Sequence, residues 1–118
     1  GKLFLSQMEI SERNRLVGAL KLARQTPGTF VTPQELIREL ERLQKLGIGV
    51  DNEEFIAGMV GISVPVRVAG NATPIAALVC HAAAARATLP ELEAKLPTLK
   101  AAAQKLGDLL HPSAALQG

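Results

Sequence analysis

The sequence contains no Trp and no Tyr, and only three Phe, one Cys and two His among its 118 residues. So few rings leave little to stack on nucleobases. Hydrophobic residues still make up 47% of the chain, so its core must be built from Leu, Val, Ile and Ala. A lone Cys80 cannot close an internal disulfide. Charge of one sign is missing as well: thirteen Lys and Arg stand against eleven Asp and Glu, and the basic residues alternate with acidic ones. A formal charge of +2 spread in this way gives no nucleic-acid footprint. No basic segment followed by an apolar signal run opens the chain, and its longest apolar stretch, Ile75 to Ala85, is interrupted by His81. That stretch is too short to cross a bilayer as a helix, so no membrane partner is expected and a reducing cytoplasm is the expected setting. An opening Gly1 in place of Met suggests a piece of a longer protein. The length suits one small domain that buries roughly 65% of its unfolded surface.

What is present reads as helices, then strands, then a helix. The spacing predicts a short helix over Leu3 to Met8 and a longer one opened by Ser11, with Leu16, Val17, Leu20 and Ala23 on one stripe. Pro27 and Gly28 end that region. Thr32-Pro33-Gln34-Glu35 is a capping box with Pro at the first helical position. The helix it opens buries Leu36, Ile37, Leu40 and Leu43, exposes a Glu41–Lys45 pair, and stops at Gly47. The period then changes to strands over Ile48 to Val50, Gly58 to Val68 and Thr73 to Ala82, the last two joined through Gly70-Asn71. Pro65 and Pro74 belong at an edge, a bulge or a strand end. A second capping box, Thr88-Leu89-Pro90-Glu91, opens a stripe of Leu89, Leu92, Leu96, Leu99, Ala103, Leu106 and Leu110. Pro97 must either kink this helix or sit in the first turn of a second one. His111-Pro112-Ser113 stops the helix, His111 is expected in solvent, and a loose tail follows. The fold class is α+β, with helices packed on an antiparallel sheet.

One stretch goes beyond fold class. Asp51-Asn52-Glu53-Glu54-Phe55-Ile56-Ala57-Gly58 followed by Met59-Val60-Gly61-Ile62-Ser63-Val64-Pro65-Val66, with Gly1-Lys2 opening a helix far upstream, resembles the effector-binding domain of the IclR family of bacterial transcriptional regulators. The resemblance runs from Gly1 to near Leu110. It implies a GAF-like or profilin-like fold in which residues 1–118 form the C-terminal part of the effector domain, with no enzymatic activity and no cofactor. Further strands and a DNA-binding winged helix-turn-helix would lie upstream, so that DNA is met only through a domain absent from this chain. A sheet lacking those strands has an open edge or is covered by a partner, and family domains assemble as homodimers or homotetramers. The implied partner is a small-molecule effector.

The residues that could carry chemistry are few. The resemblance puts Asp51 at the mouth of the effector pocket as a ligand hydrogen-bonder, and leaves Glu53 and Glu54 structural. Gly61 stands where a cysteine is common in the pocket wall, which suggests a larger cavity. The strand that often reads Ser-x-Ser-Gly reads Val79-Cys80-His81-Ala82 here, so most of the polar floor for a small keto acid is gone. Met59, Gly61 and Val79 as walls, with Asp51 and His81 as polar groups, suit a bulkier organic acid, aromatic or branched. A protonated His81 could pair with its carboxylate. Cys80 and His81 are neighbours on a strand, point to opposite faces and lack a third orienting group, so they are no catalytic pair. No Cys or His at ligand spacing supports a metal site. Gly58, Gly61 and Gly70 form no phosphate loop. The second reading from the same residues is a domain that only assembles oligomers around a vestigial pocket, motivated by the hydroxyls missing at Val79 and His81.

Overall fold

The computed structural model describes residues 1–111. The tail expected beyond His111 lies outside the described residues. Helix α1 covers Lys2–Ser6 and α2 Ile10–Ala19. The cap of α2 is Glu9, not Ser11: the Glu9 carboxylate accepts from the backbone N–H groups of Ser11 and Glu12, both at 3.0 Å, and the Ser11 hydroxyl is turned back onto it at 2.6 Å. These bonds, the Ser11 hydroxyl first, lower the Glu9 carboxyl to about 2. The helix ends at Leu20, whose ψ of 142° is extended, so the expected stripe stops early. Val17 is buried, whereas Leu20 and Ala23 are exposed. The other buried residue of α2 is Arg13, whose Nη1 has no hydrogen-bond partner among the described residues.

Helix α3 covers Pro33–Leu46 and begins where expected, with Thr32 Oγ1 accepting from Glu35 N–H at 3.2 Å. Gly47 ends it in the left-handed region at φ 70°, donating its N–H to Leu43 O at 2.8 Å. Leu36, Leu40 and Leu43 are buried and Ile37 half-buried. The expected Glu41–Lys45 pair is absent: Glu41 lies instead 3.9 Å from Arg13. Leu36 and Leu40 pack with Val17 into a small cluster joining α2 to α3, while Leu43 reaches the main core.

Strands β1 (Gly49–Asn52), β2 (Met59–Val66) and β3 (Ala76–Ala83) form an antiparallel sheet in the order β1-β2-β3. β3 starts three residues later than expected, after Pro74. Pro65 lies past the last β1 partner of β2, Ser63, and so is paired on the β3 side alone, which spares the sheet a missing donor. Gly70, at φ 90°, sits in the turn closed by Asn71 N–H on Val68 O at 3.1 Å.

Alternation along β2 separates two faces. Val60, Ile62, Val64 and Val66 point to one side with Val50, where α4 (Leu89–Glu93) and α5 (Leu96–Leu110) cover them through Leu92 and Ala103. The Thr88–Glu91 capping box is complete, and Pro97 sits in the first turn of α5, so the stripe is two helices. Leu106 and Leu110 leave the core and are exposed, because Gly107 is the residue that meets the sheet end. His111 is half-buried. The opposite face of the sheet carries Gly49, Asp51, Gly61, Ser63, Val79 and His81, covered in part by α1.

Candidate functional site

The register brings two rows of residues side by side on that second face. In the first row Asp51 of β1 pairs with Gly61 of β2, which pairs with His81 of β3. In the second row Gly49 pairs with Ser63, which pairs with Val79. Together with Gly1 and with Lys2 and Leu3 of α1 they line a cavity of about 190 Å³. Four of the five expected site residues, Asp51, Gly61, Val79 and His81, are thus brought together. Met59 shares their face but lies one row further on, opposite Ala83, outside the lining. Ser63, Gly49 and Lys2 also line the cavity and were not singled out by sequence reasoning. Ser63 was legible in principle, because it follows Gly61 by two residues and so must share its face.

Gly61 does not enlarge the cavity, as its comparison with cysteine suggested. A methyl group added at Gly61 would lie 2.7 Å from Nδ1 of His81, so the imidazole occupies the space that a side chain at 61 would take. His81 and Val79 are exposed on the open flank of the site, and Cys80 faces the α4–α5 layer. The Cys80 thiol and the His81 ring therefore lie on opposite sides of the sheet.

Asp51 is set by its own turn and by two outside clamps. Its Oδ1 accepts from Glu54 N–H at 3.0 Å, leaving Oδ2 without a hydrogen-bond partner among the described residues. Glu53 is in the left-handed region at φ 55°, a strained position for a residue with a side chain. It is held there by its Oε1, which accepts from Gly58 N–H at 2.7 Å, and by Thr26 Oγ1, which donates to its carbonyl. Thr29 Oγ1 donates to Glu54 O at 2.5 Å. A methyl at Gly28 would lie 2.9 Å from Asn52 O, so this glycine lets the two loops touch.

Lys2, which lines the cavity, is committed elsewhere. Lys2 Nζ lies 3.0 Å from Glu39 Oε2 and 2.7 Å from Glu54 Oε1, and sits 5.2 Å over the Phe30 ring. Glu39 also accepts from Arg42 at 2.7 Å. Burial pushes the Glu39 carboxyl up, but the Arg42 and Lys2 bonds outweigh it and hold the group below its ordinary range. Arg42 is correspondingly held more firmly protonated by Glu39. Glu53 and Glu54 thus both serve the turn. Among the described residues no group of three His, Cys, Asp or Glu side chains could hold a metal ion, and no helix is long and apolar enough to cross a membrane.

Residues 1–108 match the family described as bacterial transcriptional regulator IclR, C-terminal. The chain is 31% identical over 106 residues to a probable transcriptional regulator SauR of Cupriavidus necator, an alignment covering 90% of this chain and 42% of that protein. The chain therefore spans less than half the length of this curated relative. Among solved structures, the double mutant of the PobR transcription factor inducer-binding domain from Acinetobacter, in complex with 3-hydroxybenzoic acid, matches with a TM-score of 0.85 at 27% identity. That match covers 92% of this chain and 62% of the other. The Thermotoga maritima IclR matches with a TM-score of 0.76 at 30% identity, covering 90% of this chain and 44% of that one.

Proposed function

The chain belongs to the IclR C-terminal family of bacterial transcriptional regulators, and from that premise we propose that its cavity binds a small organic acid with an apolar body, aromatic or branched. Residues 1–118 then form the C-terminal part of an effector-binding domain that does no chemistry and uses no cofactor. DNA is engaged in the cytoplasm by a winged helix-turn-helix outside this chain, and the domain assembles as a homodimer or homotetramer. Effector binding acts by population shift, favouring whichever arrangement of the regulator it binds more tightly. Asp51, Gly61, Val79 and His81 form the ligand surface, with Met59 at its margin.

The observation that carries this reading is the Asp51–Gly61–His81 row, in which one glycine separates an acceptor from an imidazole on the open face of the sheet. The complex of the PobR inducer-binding domain with 3-hydroxybenzoic acid supports the choice of an aromatic acid. The competing reading, an oligomerisation domain over a vestigial pocket, draws on the size of the cavity. About 190 Å³ is below the range of roughly 300–1,000 Å³ usual for ligand pockets.

A thermal-shift screen of organic acids separates the two. A ligand bound only by the folded state stabilises it by about 2.7 kcal/mol at a free concentration near 100 Kd. Aromatic or branched acids should therefore raise the Tm by several degrees, small keto acids by much less, and Asp51→Ala and His81→Ala should each reduce the shift. If no acid stabilises the native chain, the oligomerisation reading replaces this one.

A further inference from the structure

Two features of the cavity floor go beyond the expected roles of the site residues: a hydroxyl with no hydrogen-bond partner among the described residues, and two cross-strand pairs in which a polar side chain lies over a glycine. Ser63 is half-buried on the central strand, lines the cavity, and has no hydrogen-bond partner for its hydroxyl among the described residues. Its cross-strand partner is Gly49, and a methyl group added there would collide with Ser63 Oγ. The same arrangement recurs one row on, where the His81 ring fills the space above its partner Gly61. In both pairs the polar side chain leans across the sheet, over a glycine of the neighbouring strand on the β1 side.

We propose that Ser63 is an effector contact and that the Gly49–Ser63 and Gly61–His81 pairs build a flat polar floor specific for a planar aromatic acid bearing a hydroxyl. This rests on the effector-pocket reading above. Residues two apart on a strand are about 7 Å from each other and neighbouring strands about 5 Å apart. The two rows therefore span about 7 by 10 Å of sheet, with Leu3 of α1 over the Gly49 corner, which leaves Gly61, Ser63, Val79 and His81 to face one ring. No side chain rises from Gly49 or Gly61 to obstruct a flat ligand, and Val79 supplies an apolar edge.

The groups also divide the ligand's polar atoms between them. Asp51 Oδ2 only accepts while ionised, so it takes the ligand hydroxyl and repels the carboxylate. Lys2 is tied to Glu39 and Glu54 and is not free to hold the carboxylate. Among the side chains that line the cavity, Ser63 Oγ and His81 remain as donors for it. The serine on β2 thus supplies a hydroxyl to a pocket whose β3 wall has Val79 and His81 in place of serines.

The experiment is calorimetric titration of the 118-residue chain with 3-hydroxybenzoate and with benzoate, on the native sequence and on Ser63→Ala, Asp51→Ala and His81→Ala. Ser63→Ala should weaken both compounds about tenfold, the value of one hydrogen bond to a charged group. It should leave the Tm of the unliganded chain nearly unchanged. Asp51→Ala should abolish the native preference for 3-hydroxybenzoate over benzoate, which Ser63→Ala should preserve. If Ser63→Ala binds like the native chain while Asp51→Ala and His81→Ala weaken binding, Ser63 only packs on Gly49 and this inference falls, although the effector pocket stands. A native chain that binds neither compound but is stabilised by other organic acids overturns this inference alone. If it binds no organic acid, both readings fall.

Discussion

Glu39 shows how a single buried carboxylate can make this fold depend on pH. It accepts from Arg42 and from Lys2, and its carboxyl is held below the ordinary value near 4.5 in spite of burial. A carboxyl depressed in the folded state stabilises fully above its unfolded value and ceases to do so as pH falls through the folded one. Glu39→Gln should therefore be less stable than the native chain at neutral pH and lose less stability between about pH 5 and pH 3. Denaturant melts followed by circular dichroism at those pH values check this, and parallel losses in the two proteins would count against it. The site residues themselves were legible to different degrees. Asp51, Gly61, Val79 and His81 follow from resemblance and parity, because alternate residues on a strand must share a face. Ser63 was legible by the same parity from Gly61, but its pairing with Gly49 needed the register of β1 on β2, which depends on the loop geometry around Glu53 and Gly58 and cannot be read from either strand alone. The commitment of Lys2 to Glu39, 37 positions away, has no local sequence signal at all.

At the scale of elements, the helix ends with a specific stereochemical requirement were the legible ones: Thr32 and Gly47 bound α3, and Thr88 opens α4. The ends that failed were those where two residues compete for one role. Ser11 and Glu9 both could cap α2, and the longer carboxylate reaches two N–H groups while the hydroxyl turns back to it. Periodicity also overran the core, since Leu106 and Leu110 continue the spacing of α5 beyond the point where the sheet offers a surface. That point is Gly107, where an added methyl would collide with the backbone carbonyl of Arg67. Gly107→Ala should gain about 1 kcal/mol of helix propensity but lose about 1–3 kcal/mol to overpacking against backbone that cannot rotate away. A net destabilisation in chemical denaturation is expected, with the α5–sheet spacing as its cause. Gly18→Ala is the control, because its methyl meets nothing within 4 Å, and it should stabilise by up to about 1 kcal/mol.

The whole molecule leaves several of its apolar groups uncovered. Phe55 is 68% exposed and Ile56 52% at the β1–β2 connection, and Leu109 is 74% exposed at the end of α5. β3 is paired on one side only, and its sequence, Ala76–Ala83, contains no Asp, Glu, Lys, Arg or Pro to discourage a further strand. An open edge of eight residues is a template for another chain. Exposed apolar side chains that become buried add association energy of roughly 25 cal/mol per Å², less the cost of losing free motion. Closed symmetric dimers are the commonest way for a soluble chain to cover such a surface. The chain should therefore self-associate at micromolar concentration, with light scattering giving a mass at least twice its 12.5 kDa. Replacing Phe55 and Ile56 together by Ser tests which surface is used, since both are exposed and their loss should not unfold the monomer. If the double variant stays associated, the β1–β2 connection is not the contact, and a Pro placed in the β3 edge then tests that strand. If it dissociates, the β1–β2 connection is the contact. A native chain that scatters as a monomer at high micromolar concentration would rule out self-association by either surface.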